Sequence, residues 1–245
     1  LPALPLPELK SIVLIPAAGS GRRMGTTTSK QYLELQGKPL LAHTIALFDQ
    51  HPQVEAIYPI VPADDREYCQ REILDRYQFK SVRRLIAGGS ERQDSVRNGL
   101  AALIEDGYNQ PRRPILIHDG ARPLFNTDLL AALLKSIDAN GACIMAVPAK
   151  DTIKQVIQGQ IVDSPSRDQL WQAQTPQGFH FEILDKAFHL QASDEGPSTD
   201  DAALVAAAGY AVQVLAGEDR NIKITTPADL LIAAALLDSY QEKSA

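Results

Sequence analysis

Short apolar runs recur along this chain, and most are followed by a segment whose apolar residues fall at helical spacing. Ile12–Ile15, Ala56–Val61, Val82–Ala87, Pro114–His118, Ala142–Val147 and Ala211–Leu215 read as strands. Leu40–Asp49, Asp64–Arg76, Gln93–Glu105 and Thr127–Ala139 read as amphipathic helices, as do Phe181–Leu190, Asp200–Ala208 and Pro227–Tyr240. Thr199 ahead of Asp200-Asp201, and Thr226 ahead of Pro227, are helix-start signatures. Alternating buried strands and helices predict an α/β fold of Rossmann-like type: a mostly parallel sheet with helices on both faces. Ligands of such sheets bind beyond the C-terminal strand ends. The loops after Ile15, Ala87, His118 and Val147 are therefore the ones to inspect.

The rhythm breaks between Lys150 and Gln177, where no helical period is present. Thr152–Ile157 and Gln160–Asp163 alternate polar and apolar positions around Gln158-Gly159, a hairpin signature. The pattern thus predicts one domain over residues 10–240. Residues 150–177 form a protruding hairpin arm, and residues 1–9 a loose, proline-rich lead-in without the character of a signal peptide.

Composition narrows the class. A chain of 245 residues can bury a substantial core without staples. A net charge of −6 argues against a general nucleic-acid surface, so any basic site is local. Cys69 and Cys143 match no metal spacing and suit a reduced, cytoplasmic setting (or a plastid stroma). No apolar stretch reaches membrane length.

The chemistry concentrates in the strand-end loops. The first strand empties into Pro16-Ala17-Ala18-Gly19-Ser20-Gly21-Arg22-Arg23-Met24-Gly25, with Lys30 close behind. Small residues let backbone N–H groups approach a ligand, and the cations match phosphate. The loop lacks the Gly-Lys-Ser/Thr ending of a Walker A motif and the spacing of a dinucleotide fingerprint. An ordinary strand-to-helix turn with solvated arginines would read the same way. Gly88-Gly89-Ser90 opens the helix that carries Ser95, giving either an anion-binding helix start, capped by Ser90, or a plain cap. Asp119 and Arg122 follow the strand ending at His118. Asp119 is a candidate Mg²⁺ ligand and Arg122 a candidate anion-binding group, or the two simply pair. Lys223, between Ile222 and Ile224, points into a cleft or lies on an edge strand.

Taken together these segments resemble one family. The Pro16–Gly25 loop with Lys30-Gln31, Gly88-Gly89-Ser90-Glu91-Arg92 with Ser95-Val96, and His118-Asp119-Gly120-Ala121-Arg122-Pro123 carry the likeness. So do Asp168-Gln169-Leu170-Trp171, Gln174-Thr175-Pro176-Gln177, Thr199-Asp200-Asp201 and Asn221-Ile222-Lys223-Ile224-Thr225. The chain is similar, from about residue 10 to residue 237, to the 2-C-methyl-D-erythritol 4-phosphate cytidylyltransferases of the non-mevalonate route of isoprene biosynthesis. Gly120 departs from that pattern, which usually has alanine there.

The resemblance implies a CTP-dependent nucleotidyltransferase that uses Mg²⁺ and acts as a homodimer. It assigns Ala17, Ala18, Gly19, Gly21, Arg23 and Lys30 to the triphosphate, and Gly88, Gly89, Ser90 and Ser95 to the cytosine. Asp119 would lie near the metal and the substrate hydroxyls. Arg122, Thr175, Thr199 and Lys223 would face the sugar phosphate, and Thr152 and Arg167 would reach it from the neighbouring subunit's arm. Arg23, Lys30 and Lys223 would be the catalytic cations. A ribitol 5-phosphate cytidylyltransferase, a transferase using UTP or GTP, and a regulatory nucleotide-binding module are the alternatives. Neither nucleic acid nor a membrane is expected as a partner.

Overall fold

The computed structural model describes residues 10–19, 30–191 and 198–244. Its first strand is Ser11–Pro16 (β1), in which Ile12 through Ile15 are fully buried. A parallel strand covered on both faces needs apolar side chains on both, which is why this run does not alternate. Parallel neighbours flank it, Val54–Val61 (β4) on one side and Pro114–Ile117 (β6) on the other. Between β1 and β4 in the chain lie the two-residue strands Glu34–Leu35 (β2) and Lys38–Pro39 (β3), a small antiparallel pair, and helix Leu40–Phe48 (α1). The short strand Ile86–Ala87 (β5) closes one edge of the sheet. Ala142–Pro148 (β7) and Gln213–Ala216 (β11) form the other side of the seven-stranded order β11-β7-β10-β6-β1-β4-β5.

Residues Trp171–His180 (β10) are inserted between β7 and β6, antiparallel to both. This corrects the extent of the expected arm, whose last seven residues, 171–177, belong to the central sheet. The hairpin itself is shorter: Gln155–Ile157 (β8) pairs with Gln160–Asp163 (β9). Gln158 and Gly159 both have positive φ, at 50° and 79°, as a two-residue I′ turn requires.

Helices cover both faces. Ile12 and Leu14 pack with residues of Arg92–Glu105 (α3), Phe181–Leu190 (α5) and Asp201–Ala207 (α6). Val13 and Ile15 point the other way. They pack with α1, with Leu130–Asn140 (α4), and with Cys69 and Ile73. Those two residues lie on a segment expected as one helix over 64–76. It is a 3₁₀ turn, one α turn at Arg66–Cys69 (α2), and a π turn at Gln70–Asp75. A third cluster joins Leu35 and Leu40 to Ile224 and to Ala233 of Pro227–Ser244 (α7). α7 starts as its sequence indicates: Thr226 Oγ1 accepts the Asp229 N–H at 3.3 Å, and the Asp229 carboxylate accepts the Thr226 N–H at 2.8 Å. The expected strand over 82–87 is reduced to Ile86–Ala87 plus one bridge between Val82 and Ile57.

β10 crosses α4 where only glycine fits. A Cβ on Gly178 would stand 2.2 Å from Ile137 Cδ1 and 2.9 Å from Leu116 Cδ2, both on fully buried side chains. Gly178→Val should destabilise the fold by about 1–3 kcal/mol through overpacking. The urea midpoint measures this, and an unchanged midpoint would show that the β10–α4 contact is looser than described.

Candidate active site

Three backbone crossings bring the strand-end loops together. The Ala17 N–H donates to Ile60 O at 2.7 Å, the Gly88 N–H to Val61 O at 2.8 Å and the Gly120 N–H to Pro16 O at 3.0 Å. Ala17 and Ala18 thereby lie between the glycines of two other loops. A Cβ on Gly88 would meet Ala18 Cβ at 2.3 Å, and one on Gly120 would meet Ala17 Cβ at 2.8 Å. Gly120 is thus fitted to its neighbour. Among the described residues, nothing lies within 4 Å of a Cβ built on Gly19. Gly21 and Arg23 lie outside the described residues. Lys30 begins a 3₁₀ turn through Tyr32, and its side chain is likewise outside the description.

At the start of α3 the cap is Glu91, not Ser90. The Asp94 carboxylate accepts the Glu91 N–H at 3.1 Å and the Ser90 hydroxyl at 2.6 Å. The Ser90 bond and the Glu91 N–H hold the Asp94 pKa below the usual carboxylate value. The Ser95 hydroxyl accepts the Gly89 N–H at 3.1 Å and donates to Glu91 O at 3.1 Å. Ser95 therefore fixes the turn in which Gly88 and Gly89 present their backbone.

Beyond β6 lies a cavity of about 290 Å³. It is lined by Arg92, Asp119, Arg122, Ala173, Gln174, Thr175, Gln177, Thr199, Asp200 and Lys223. Four expected sugar-phosphate-side residues (Asp119, Arg122, Thr175 and Thr199) and Lys223 thus share one space. Asp119 is its electrostatic centre. Lys223 Nζ lies 2.9 Å from Asp119 Oδ2, Arg122 Nε 3.5 Å from Oδ2, and Arg92 Nε 3.5 Å from Oδ1. Burial alone would raise the Asp119 pKa, but Lys223, Arg92 and Arg122 override it and hold the carboxyl well below its ordinary range. Lys223 reaches the site from an irregular segment, not an edge strand. The Ile224 N–H donates to Ala121 O at 2.9 Å, which anchors that segment beside Asp119.

Arg122 is more constrained than its sequence suggests. Its Nη1 donates to Asn221 O at 2.6 Å and its Nη2 to Ala173 O at 3.4 Å. Burial lowers its pKa, against the pull of Asp119. Thr175 is also committed. The Asp119 N–H donates to Thr175 Oγ1 at 3.1 Å, and His118 Nδ1 lies 3.2 Å from that same oxygen. His118 Nε2 lies 2.9 Å from Arg122 O, which can only accept. Nε2 therefore carries the proton, and Nδ1 accepts from the Thr175 hydroxyl. His118 is a buried, neutral strut.

Sequence reasoning missed Arg92, Gln177 and Asp201. Arg92 Nη1 lies 2.7 Å from Asp201 Oδ2. Gln177 donates to Asp200 Oδ2 at 2.8 Å and accepts the Ala202 N–H at 3.0 Å. The available signal was the position of all three inside the quoted motifs. Thr152 and Arg167 do not line the cavity and are exposed at the base of the arm. Arg167 Nη1 donates to Lys150 O at 3.2 Å.

Closely packed alanine and glycine loops beside a cavity that holds three cations, at the C-terminal ends of the strands of a mostly parallel sheet, define a nucleotidyltransferase type of protein. Residues 11–239 match the family model described as 2-C-methyl-D-erythritol 4-phosphate cytidylyltransferase. The enzyme of that name from Syntrophotalea carbinolica is 50% identical over 227 residues, covering 93% of this chain and 96% of the relative. A crystal structure of a 4-diphosphocytidyl-2C-methyl-D-erythritol synthase superposes with a TM-score of 0.79 at 34% identity, over 94% of this chain and 99% of that one. The synthase from Anaerococcus prevotii gives a TM-score of 0.78 at 31% identity, over 94% and 96%. The chain belongs to the 2-C-methyl-D-erythritol 4-phosphate cytidylyltransferase family.

Burial pushes the His118 pKa down to about 4, from an ordinary 6.5. Between those values the unfolded chain binds the proton more readily than the folded one. Stability should therefore fall as pH drops from 6.5 to 4 and level off below, a loss of about 3 kcal/mol from this residue. His118→Gln should show a shallower pH dependence of the urea midpoint across that window. Parallel pH profiles would refute the buried neutral assignment.

Proposed function

We propose that this protein transfers a cytidylyl group from CTP to 2-C-methyl-D-erythritol 4-phosphate, releasing pyrophosphate. The observation that carries this is the Asp119–Lys223–Arg122–Arg92 cavity, beside the packed Ala17, Ala18, Gly88 and Gly120 loops, in a chain of this family. A phosphate oxygen of the acceptor attacks the α-phosphorus. One P–O bond forms, the bond to the bridging oxygen of the β-phosphate breaks, and pyrophosphate carries that electron pair away. The nucleophile is already anionic, so no general base is needed. That agrees with a His118 that is neutral and fully committed. The task left to the protein is to hold two anions in line and stabilise the charge that grows between them.

The roles divide by location. Ala17, Ala18, Gly19, Gly21, Arg23 and Lys30 hold the triphosphate, and Gly88, Gly89, Ser90 and Ser95 the base. Lys223 and Arg122 supply charge on the acceptor side, while Thr175 and Thr199 shape that wall. Among the described residues no group of three His, Cys, Asp or Glu side chains could cage a metal. A cavity with Asp119 at its centre and Asp200 on its wall fits Mg²⁺ that arrives with nucleotide phosphates, and Asp119 would hold it. When bound, Mg²⁺ neutralises phosphate charge.

The arm supports a homodimer. Ile153, Val156, Ile157, Ile161 and Val162 are each 41–63% exposed, an apolar surface that suits a second copy. Thr152 and Arg167 at its base would then enter the partner's cavity. Cys69 and Cys143 are free and buried, which suits the reducing cytoplasm. No described helix is long and apolar enough to cross a membrane.

Pyrophosphate release, measured with each nucleotide against methylerythritol phosphate, ribitol phosphate and no acceptor, tests the reading. Activity should require CTP and methylerythritol phosphate, and a preference for ribitol phosphate would overturn it. Lys30→Ala and Lys223→Ala should each fold normally and lose about 10²–10³ in turnover. Near-normal rates would remove those lysines from the mechanism. An Arg167→Ala chain mixed with a Lys30→Ala chain should regain activity through hybrid dimers. No recovery, once subunit exchange is demonstrated, would make each site self-contained.

A further inference from the structure

The residue that ties this cavity together is one that the cytidylyltransferase reading leaves without a role. Arg92 is the first residue of α3, immediately after the glycine-pair loop. Asp201 is the first residue of α6, immediately after the Thr199-Asp200 wall. Arg92 spans the gap between them. Its Nη1 is 2.7 Å from Asp201 Oδ2 and its Nε is 3.5 Å from Asp119 Oδ1. The Asp201 side chain is wholly buried, and neither of its oxygens has a well-aligned hydrogen bond, so Arg92 holds it as an ion pair. The Arg92 side chain retains 29% exposure, and it lines the cavity.

A buried ion pair is a poor device for stability. Desolvation consumes most of its attraction, and an apolar pair of similar volume does as well or better. Asp201 is worse placed than most, because neither of its oxygens has a well-aligned hydrogen bond. The arrangement has a different physical use. A guanidinium fixed at one nitrogen by a dry carboxylate has lost its freedom to swing away, and it stays at the wall of the cavity. Such preorganisation is what a site that stabilises growing phosphoryl charge requires.

We propose that Arg92 is a further cation acting on the acceptor phosphate, and that Asp201 is a positioning residue that acts only through Arg92. The inference rests on the cytidylyltransferase reading. It adds a charge from the nucleotide-side helix to the acceptor-side cavity.

The test is steady-state kinetics with CTP and methylerythritol phosphate on wild type, Arg92→Gln, Arg92→Lys, Asp201→Asn and the double variant Arg92→Gln/Asp201→Asn. Urea unfolding is run on each. Arg92→Gln should lower kcat by about 10²–10³ while leaving the KM for CTP unchanged. Asp201→Asn should lower kcat about 10- to 100-fold, the range for partners one shell removed. The double variant should be no slower than Arg92→Gln alone. Arg92→Lys, which keeps the charge but cannot span two carboxylates, should lose at least tenfold. Wild-type kcat in Arg92→Gln would overturn the proposal, as would two single effects that multiply in the double variant. A fall in stability without a change in kcat would reduce the pair to a structural strut. If Asp201→Asn does not fold, the two Arg92 variants still decide. Failure of the wild type to make product would instead overturn the reading of function, independently of Arg92.

Discussion

A carboxylate that is nine-tenths buried at the end of a parallel strand has to be surrounded by positive charge, and the placement of that charge organises this molecule's cleft. Asp119 meets Arg92 from the start of α3, Arg122 from its own loop and Lys223 from the segment before α7. These three groups come from distant parts of the chain and would repel one another without it. Asp201 answers part of the charge on Arg92. Asp200 also lines the cavity, so three cations face three carboxylates and their charges balance. An incoming phosphate finds cations already gathered in one place, each held by a carboxylate that it can replace.

The sheet was legible in the sequence wherever burial is apolar. β1, β4, β6 and β7 announce themselves because both faces of each strand are covered. β10 does not, and the reason is instructive. Gln174, Thr175 and Gln177 are 6%, 4% and 1% exposed, yet they are polar. They tolerate burial because partners far away in sequence satisfy them: Glu218 O and Asn221 for Gln174, the Asp119 N–H and His118 for Thr175, Asp200 and Ala202 for Gln177. A strand whose inward positions face a polar cavity carries no hydrophobic period. It therefore reads as loop, and the arm was drawn too long.

The site shows the same division. Gly88-Gly89 and Asp119 with Arg122 are local patterns, and both were visible. Lys223 was visible only as one of two alternatives, a cleft residue or a surface lysine on an edge strand, since nothing local reveals that Ile224 is tied to Ala121. The pairing of Arg92 with Asp201 has no local signature at all. Only the fold brings the first turns of α3 and α6 together on one face of the sheet. The motif resemblance carried the site further than spacing could, because it treats distant segments as one set.

The cations around Asp119 differ in how firmly they are held, and this difference has chemical meaning. Arg122 is bound to two backbone carbonyls and is mostly buried, so its position is part of the scaffold. Lys223 is 40% exposed and holds Asp119 through one contact. An ion pair exposed to that degree contributes little to stability, typically below about 1 kcal/mol. Exchanging Asp119 for an incoming phosphate therefore costs Lys223 little. The same exchange would leave Asp119 Oδ2 with Arg122 as its remaining cation. The site can thus hold its charges in balance when empty and redistribute them when both anions arrive, with Arg122 fixed and Lys223 transferring.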